Sequence, residues 1–195
     1  MRPLSEPFAP VVHAAEVMRG LPAPWFVAGG WAIDLLVGRV TREHEDIEVS
    51  ILRRNQLELR RHLATWDVRK VVESRLSPWA DDERLEPPTH EVHARREDGD
   101  LRHLEILFEE ASGGLWRFRR DPRIRRRFED IGRVSPQRIP YLAPEIVLLY
   151  KAKGVRPRDE DDFAVTAPLL SPDQRTWLSD ALRACHPNHP WIARL

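Results

Sequence analysis

Residues Thr41–Ile51 read "TREHEDIEVSI". An arginine, a histidine and four acids crowd against the start of an apolar run. The second half, Asp46-Ile47-Glu48-Val49-Ser50-Ile51, alternates strictly between polar and apolar. Residues two apart on a strand share a face. The pattern therefore predicts a strand over Ile47–Leu52, with Ile47, Val49 and Ile51 in the core and Asp46, Glu48 and Ser50 on the other face. Two carboxylates held so close repel, and one keeps its proton unless a cation sits between them. A hard divalent ion such as Mg²⁺ suits carboxylate oxygens and leaves room for water and phosphate. A half-exposed strand with acids on its wet face shows the same alternation, so the surroundings of the pair decide.

Upstream lies "FVAGGWAID", Phe26–Asp34. Trp25–Ala28 reads as a short buried strand, Gly29-Gly30 as the turn, and "WAIDLLVG" as a helix. Ile33, Leu36 and Val37 recur at helical spacing and Gly38 is a stop. Glycines let backbone N–H groups approach a phosphate, and a helix start favours negative charge. A tight turn needs glycines as well. Downstream, "LRHLEILFEE" holds a third acid. Leu104, Ile106 and Phe108 form one face, and Glu105 lies on the other with His103 and Leu107. An acid in mid-strand is costly unless it is paired or metal-bound, and an arginine partner is the alternative. The whole of "HEVHARREDGDLRHLEILFEE" reads as a hairpin turning at Asp98-Gly99.

Elsewhere a helix is expected over Val11–Arg19, a second over Gln56–Thr65 capped by Asn55, a strand over Val68–Glu73 and a loop over Ser77–Pro88. From Pro144 the texture turns helical: "PEIVLLYKAKG" with Lys151 and Lys153 at its end, "RDEDDFAVTAPLL", and "SPDQRTWLSDALRAC" capped by Ser171 and Gln174. The expected fold class is α+β: a small mixed sheet with flanking helices over residues 1–138, then a helical domain over 139–195.

The composition, 42% hydrophobic and 32% charged, is that of an ordinary globular chain. Lys plus Arg equals Asp plus Glu, 31 each. That balance argues against non-specific nucleic-acid binding, which needs a cationic field. The lone Cys185 excludes an internal disulfide and a Cys-based zinc site. The longest apolar runs, such as Ile146–Tyr150, are too short to span a bilayer, and "MRPLSEPFAP" lacks an apolar targeting region. A cytoplasmic protein without membrane or nucleic-acid partners is expected. Seven arginines fall between Arg117 and Arg127, a run that is commonly a solvated face and in some proteins an anion site.

Taken together, Gly29-Gly30-Trp31-Ala32-Ile33-Asp34, followed by Gly38-Arg39, Thr41-Arg42, His44 and Asp46-Ile47-Glu48, resembles the aminoglycoside 2″-nucleotidyltransferases and their relatives. These belong to the nucleotidyltransferase superfamily with the DNA polymerase β-like catalytic fold. "IPYLAPEIVLLYKAKGVRPRDEDDF" is similar to the helical part of such proteins. The resemblance implies that Gly29 and Gly30 hold the triphosphate of an NTP, and that Asp46, Glu48 and Glu105 are the catalytic, metal-binding carboxylates. It implies two Mg²⁺ ions clamping the attacking and leaving oxygens, with Glu105 as general base on the acceptor side.

Lys151, Lys153, Arg42 and His44 are candidate nucleotide ligands, and Asp34 a candidate substrate contact. The implied reaction moves a nucleoside monophosphate, AMP, from an NTP to a hydroxyl of a small molecule, for example an aminoglycoside-like one. The acids of "ADDERLEP" and "RDEDDF" would suit a polycationic acceptor. The chain departs from the family in having Glu at 48 and 105, where Asp is commoner; each extra methylene moves the carboxylate by roughly 1.5 Å. That departure keeps open an NTP-binding protein that does not catalyse; a nucleotidyltransferase acting on a protein partner is a separate alternative.

Overall fold

The computed structural model describes residues 6–195. The N-terminal part of the "MRPLSEPFAP" reading, residues 1–5, lies outside them. Helix α1 (Ala9–Val17) buries Val11 and Ala14. Strand β1 (Trp25–Val27) then leads through Ala28 into helix α2 (Gly29–Val37), which closes on Gly38 in the left-handed conformation at φ 79°. The helix starts two residues earlier than its apolar spacing predicts, so both glycines lie inside its first turn. Strand β2 covers Glu48–Leu52. Helix α3 (Gln56–His62) is shorter than expected, and Asn55 makes no side-chain cap.

Strands β3 (Asp67–Val72), β4 (Arg75–Pro78), β5 (Glu91–Arg95) and β6 (His103–Ser112) follow. The expected loop at Ser77–Pro88 thus begins inside a strand. Strands β5 and β6 pair antiparallel, as the Asp98-Gly99 signal requires. Short strands β7 (Leu115–Arg117), β8 (Arg125–Arg127), β9 (Gly132–Val134) and β10 (Pro140–Leu142) complete the set.

The main sheet runs in the order β4-β3-β5-β6-β2-β1-β10-β9. It is mixed: β2 lies parallel to β6 and antiparallel to β1, while β1 is parallel to β10. Strand β6 is ten residues long, and its far end, Glu110–Ser112, leaves the main ladder to pair with β7. Strand β10 sits in the sheet between β1 and β9, so the sheet continues past residue 138 and the purely helical part begins at Pro144.

Helices α4 (Pro144–Lys151), α5 (Pro157–Thr166) and α6 (Pro172–Cys185) form that part. Helix α6 opens with a capping box in which Ser171 accepts from the Gln174 N–H and Gln174 accepts from the Ser171 N–H. Helices α4 and α5 both pack on α2, which ties the helical part to the start of the sheet. Leu104, Ile106 and Phe108 from β6 and Val49 and Ile51 from β2 are fully buried, as the alternation predicts. Ser50 is also fully buried, beneath the polar face it was expected to share with Glu48, and its hydroxyl has no protein partner. Among the described residues no helix is long and apolar enough to cross a membrane.

Candidate active site

The central strand pair sets the acids. Glu48 on β2 stands directly opposite Glu105 on β6 in the parallel register. Neighbouring strands are about 4.8 Å apart, so the two side chains start from adjacent points of one face. Asp46 comes two residues before Glu48, just ahead of the strand, where its carbonyl accepts a hydrogen bond from the Trp31 indole at 3.1 Å. No cation compensates this group fully. Burial pushes the Glu48 carboxyl up, and the charge of Asp46 adds to the rise. Burial and then Asp46 push Glu105 up to about 7, against the partial relief of His93. Oxygen-only donors that hold their protons for want of a cation fit hard divalent ions, as Mg²⁺ is.

Beside the acids lies the start of α2. Ala28 caps it with extended backbone and no side-chain acceptor, so the N–H groups of the first turn are not capped from within. Gly29 has φ +58°, and a Cβ there would overlap the Glu48 carboxylate. A Cβ on Gly30 would meet the Arg42 guanidinium and the His44 ring. Both glycines are needed because the acidic strand and its preceding loop fold tightly over the helix start.

A cleft of about 520 Å³ opens over Ala28, Gly29 and Glu48. Its opposite wall is cationic: Arg119, Arg120, Lys151, Lys153 and Arg156 line it, with His90. Lys151, at the end of α4, donates to Asp159 at 3.0 Å and lies 2.8 Å from Asp162. Lys153 is exposed, beyond the end of the helix. The Arg119 guanidinium stacks over the Tyr150 ring, and Tyr150 donates its hydroxyl proton to buried Glu109 at 2.8 Å.

Three of the expected ligands have other partners. Asp34 is fully buried, accepts from the Thr41 N–H at 3.0 Å and the Thr41 hydroxyl at 2.5 Å, and bonds His44 at 2.5 Å. The His44 ring also packs on Trp31, with centroids 4.3 Å apart. Arg42 donates from two nitrogens to both oxygens of Asp162, each at 3.0 Å. Asp34 therefore does not reach a substrate: a short, buried acid on α2 holds the Thr41–His44 loop in place. Arg42 and His44 line a separate hollow beside Trp31 and do not line the cleft.

Sequence reasoning passed over Glu91 and His93, which alternate on β5, and gave no role to His103, which it placed on the face of Glu105. All three stand on the acid face. Their signal is the same period of two, visible in "HEVHAR". It also left Arg119 and Arg120 within a generic basic run, and nothing local marks them as cleft residues.

The mixed sheet, the glycine-started helix and the three facing carboxylates define the fold of a nucleotidyltransferase. The family model for aminoglycoside-2″-adenylyltransferases matches residues 11–165, and the chain belongs to that family. The expected kinship is thereby borne out. A 2″-aminoglycoside nucleotidyltransferase of Escherichia coli is 51% identical over 49 residues, and one of Klebsiella pneumoniae matches equally. Those matches cover 24% of this chain and 27% of the length of each relative. Among solved structures, the antibiotic-resistance factor ANT(2″)-Ia superposes with a TM-score of 0.58 at 19% identity, covering 91% of either chain. The lincosamide adenylyltransferase LnuA, bound to lincomycin, gives 0.58 at 17% identity over 82% of this chain and 96% of its own. At these identities the structural likeness shows the fold, and the α+β architecture agrees with it.

Proposed function

We propose that the chain transfers AMP from ATP to a hydroxyl of a small molecule. One observation carries the reading: Glu48 and Glu105 stand side by side under the charge of Asp46 without a full complement of cations, and Glu48 lies beside an uncapped helix start in a cleft with a cationic wall. Asp46, Glu48 and Glu105 would hold divalent ions, Mg²⁺ by the chemistry of the donors. When bound, such ions neutralise the crowded carboxylates and draw charge from the reacting oxygens.

The chain's own groups do the rest. The first-turn N–H groups of α2 receive the triphosphate, since no side chain at the helix start caps them. Lys153, Arg119, Arg120 and Arg156 offset the charge of the triphosphate, before the transfer as well as during it. Lys151 contributes less, because Asp159 and Asp162 already hold it. The acceptor oxygen forms its bond to the α-phosphorus as the bond to pyrophosphate breaks, and Glu105 takes the hydroxyl proton. The longer reach of Glu at 48 is met at Gly29, whose missing side chain leaves the Glu48 carboxylate its place.

The acceptor is a hydroxylated molecule less cationic than the acid-rich loops suggest. Asp159 and Asp162 of "RDEDDF" are bound by Arg156, Lys151 and Arg42, and Asp81 and Glu83 of "ADDERLEP" by Arg60 and Lys70. An acceptor screen should therefore include neutral sugars beside aminoglycosides. The cytoplasm, with its ATP and Mg²⁺, is the compartment we assign.

The test is a melting series with each NTP, with and without Mg²⁺, followed by pyrophosphate release across the acceptor panel. An Mg²⁺-dependent rise for ATP, on the order of 5–10 °C near saturation and lost in Asp46→Ala, supports the donor site. No rise with any nucleotide sinks the reading. A rise without release to any acceptor favours a nucleotide-binding protein that no longer catalyses, and label on a protein band points to a protein acceptor.

A further inference from the structure

The acid face carries a second group of ligands that adenylyl transfer does not require. His93 stands opposite Glu105 across the β5–β6 ladder, and His103 lies two residues before Glu105 on the same face. His93 donates its Nε2 proton to Glu91 Oε1 at 2.7 Å. In the neutral ring, the form that binds a metal, that bond puts the proton on Nε2 and leaves Nδ1 its lone pair. The lone pair faces His103 Nε2 at 3.2 Å. One ligand atom from each of His93, His103 and Glu105 lies within 4.8 Å of the other two. Two imidazole nitrogens on one tetrahedral ion, with bonds of 2.0–2.1 Å, stand about 3.3 Å apart. The spacing of the imidazole pair thus suits a shared ion; the His103 proton has to leave Nε2, and the Glu105 carboxylate, 3.7 Å from His93 Nε2, has to turn toward Nδ1.

We propose that His93, His103 and Glu105 form a site for a borderline divalent transition ion of the Zn²⁺ or Co²⁺ class, with Glu91 orienting His93. Two imidazoles and a carboxylate select such ions, whereas Asp46 and Glu48 present oxygen alone and suit Mg²⁺. A ligating histidine whose other nitrogen donates to a carboxylate is the usual outer-shell arrangement of metal sites. All three ligands are partly buried, which leaves one side of the ion open to solvent or acceptor. Binding releases no net proton from neutral rings: His103 carries its proton on Nε2 in the bond to His93 and moves it through solvent to Nδ1. An ion held here also takes Glu105 from its work as base. That consequence, inhibition of transfer by Zn²⁺, rests on the proposed reaction; the binding itself does not.

The experiment is a Co²⁺ titration of the metal-free, full-length chain, read by visible absorption. The expected result is one Co²⁺ per chain with the intense bands of low coordination number, displaced by Zn²⁺ and not by excess Mg²⁺. Glu91→Gln should weaken Co²⁺ about 10–100-fold. The bands should vanish in a His93→Gln/His103→Gln chain whose circular dichroism is unchanged, and in Glu105→Gln should that double variant fail to fold. A titration that the double variant reproduces places the ion elsewhere, at His186 and His189 for instance, and overturns the proposal. So does binding that gives only the pale spectrum of octahedral Co²⁺. The ATP–Mg²⁺ melting shift on the same sample separates the two ideas: bands without the shift defeat only the transfer reaction, and the shift without bands defeats only this site.

Discussion

The acids of the sheet and the acids of helix α5 are the same chemical groups in opposite states. On α5, burial pushes the Asp159 carboxyl up, but hydrogen bonds from Arg156 and Lys151 outweigh it and hold the group well below its ordinary value. Asp162 is likewise lowered: burial opposes it, and Arg42 and Lys151 prevail. On β2 and β6 nothing of comparable strength reaches Glu48 or Glu105, and both are raised. Buried acids with cations in place are structure. Buried acids that lack them have kept a place for a charge the chain does not supply. Local acid density does not separate the two cases, because "RDEDDF" is richer in acid than "DIEVSI". What separates them is the distance to the nearest guanidinium or ammonium.

The largest expected effect falls on the compensated side. Asp162→Ala strips Arg42 of two of its three side-chain hydrogen bonds and Lys151 of one partner, within a buried network. Removing one partner of a buried pair costs about 3–5 kcal/mol, which for a chain of this length lowers Tm by roughly 10 °C. Calorimetry checks it. A change below 1 °C would mean that solvent screens α5 and that the comparison fails. On the other side, Glu48→Gln should leave the metal-free Tm level or slightly higher, since it removes a raised, crowded carboxylate. Pyrophosphate release should fall by more than about 100-fold, because even outer-shell changes at metal sites cost 10–100-fold. Full activity in Glu48→Gln would remove it from the site.

A smaller effect is expected at the cationic wall. Arg119→Ala removes one charge from the cleft and should raise KM for ATP roughly tenfold with little change in kcat, the mark of binding shared by ground and transition states. A fall in kcat at constant KM would move Arg119 to the departing pyrophosphate alone.

Much of this contrast is legible in the sequence, and the rest is not, for one physical reason. The period of two on β2 and β6 places Glu48 and Glu105 on one face, and the buried Val49, Ile51, Leu104, Ile106 and Phe108 confirm the alternation. Gly29 and Gly30 are legible as a close approach, although the object approached, the Glu48 carboxylate and the Arg42–His44 loop, is not. Tertiary partners are where local reading stops. Arg42 lies four residues before Asp46 and bonds Asp162, 120 positions away. Asp34 reads as a site residue only through the family resemblance, and the fold shows Thr41 and His44 closing over it. Asn55 has the chemistry of a cap, but the preceding 3₁₀ turn at Arg53–Asn55 leaves it without side-chain hydrogen bonds to the helix.

The pH dependence of stability sharpens the comparison most finely, because the two groups of acids act at opposite ends. Glu105 is raised from 4.5 to about 7, so the fold binds its proton more tightly than the unfolded chain does. The stabilisation is complete below about pH 4.5 and is lost as pH rises through about 7. Asp159 and Asp162 are lowered, so their contribution is present above the ordinary value of 3.8 and is lost as pH falls below it. The metal-free protein should therefore lose Tm along two separate limbs. Glu105→Gln should flatten the neutral limb and leave the acid limb intact, and Asp162→Asn should shorten the acid limb to the share of Asp159 and leave the neutral limb intact. Mg²⁺ should flatten the neutral limb of the unmodified chain, since a bound cation favours the ionised carboxylate it touches. A neutral limb that survives Glu105→Gln would assign the raised proton to another group. It would leave Glu105 an ordinary carboxylate, already paired with His93.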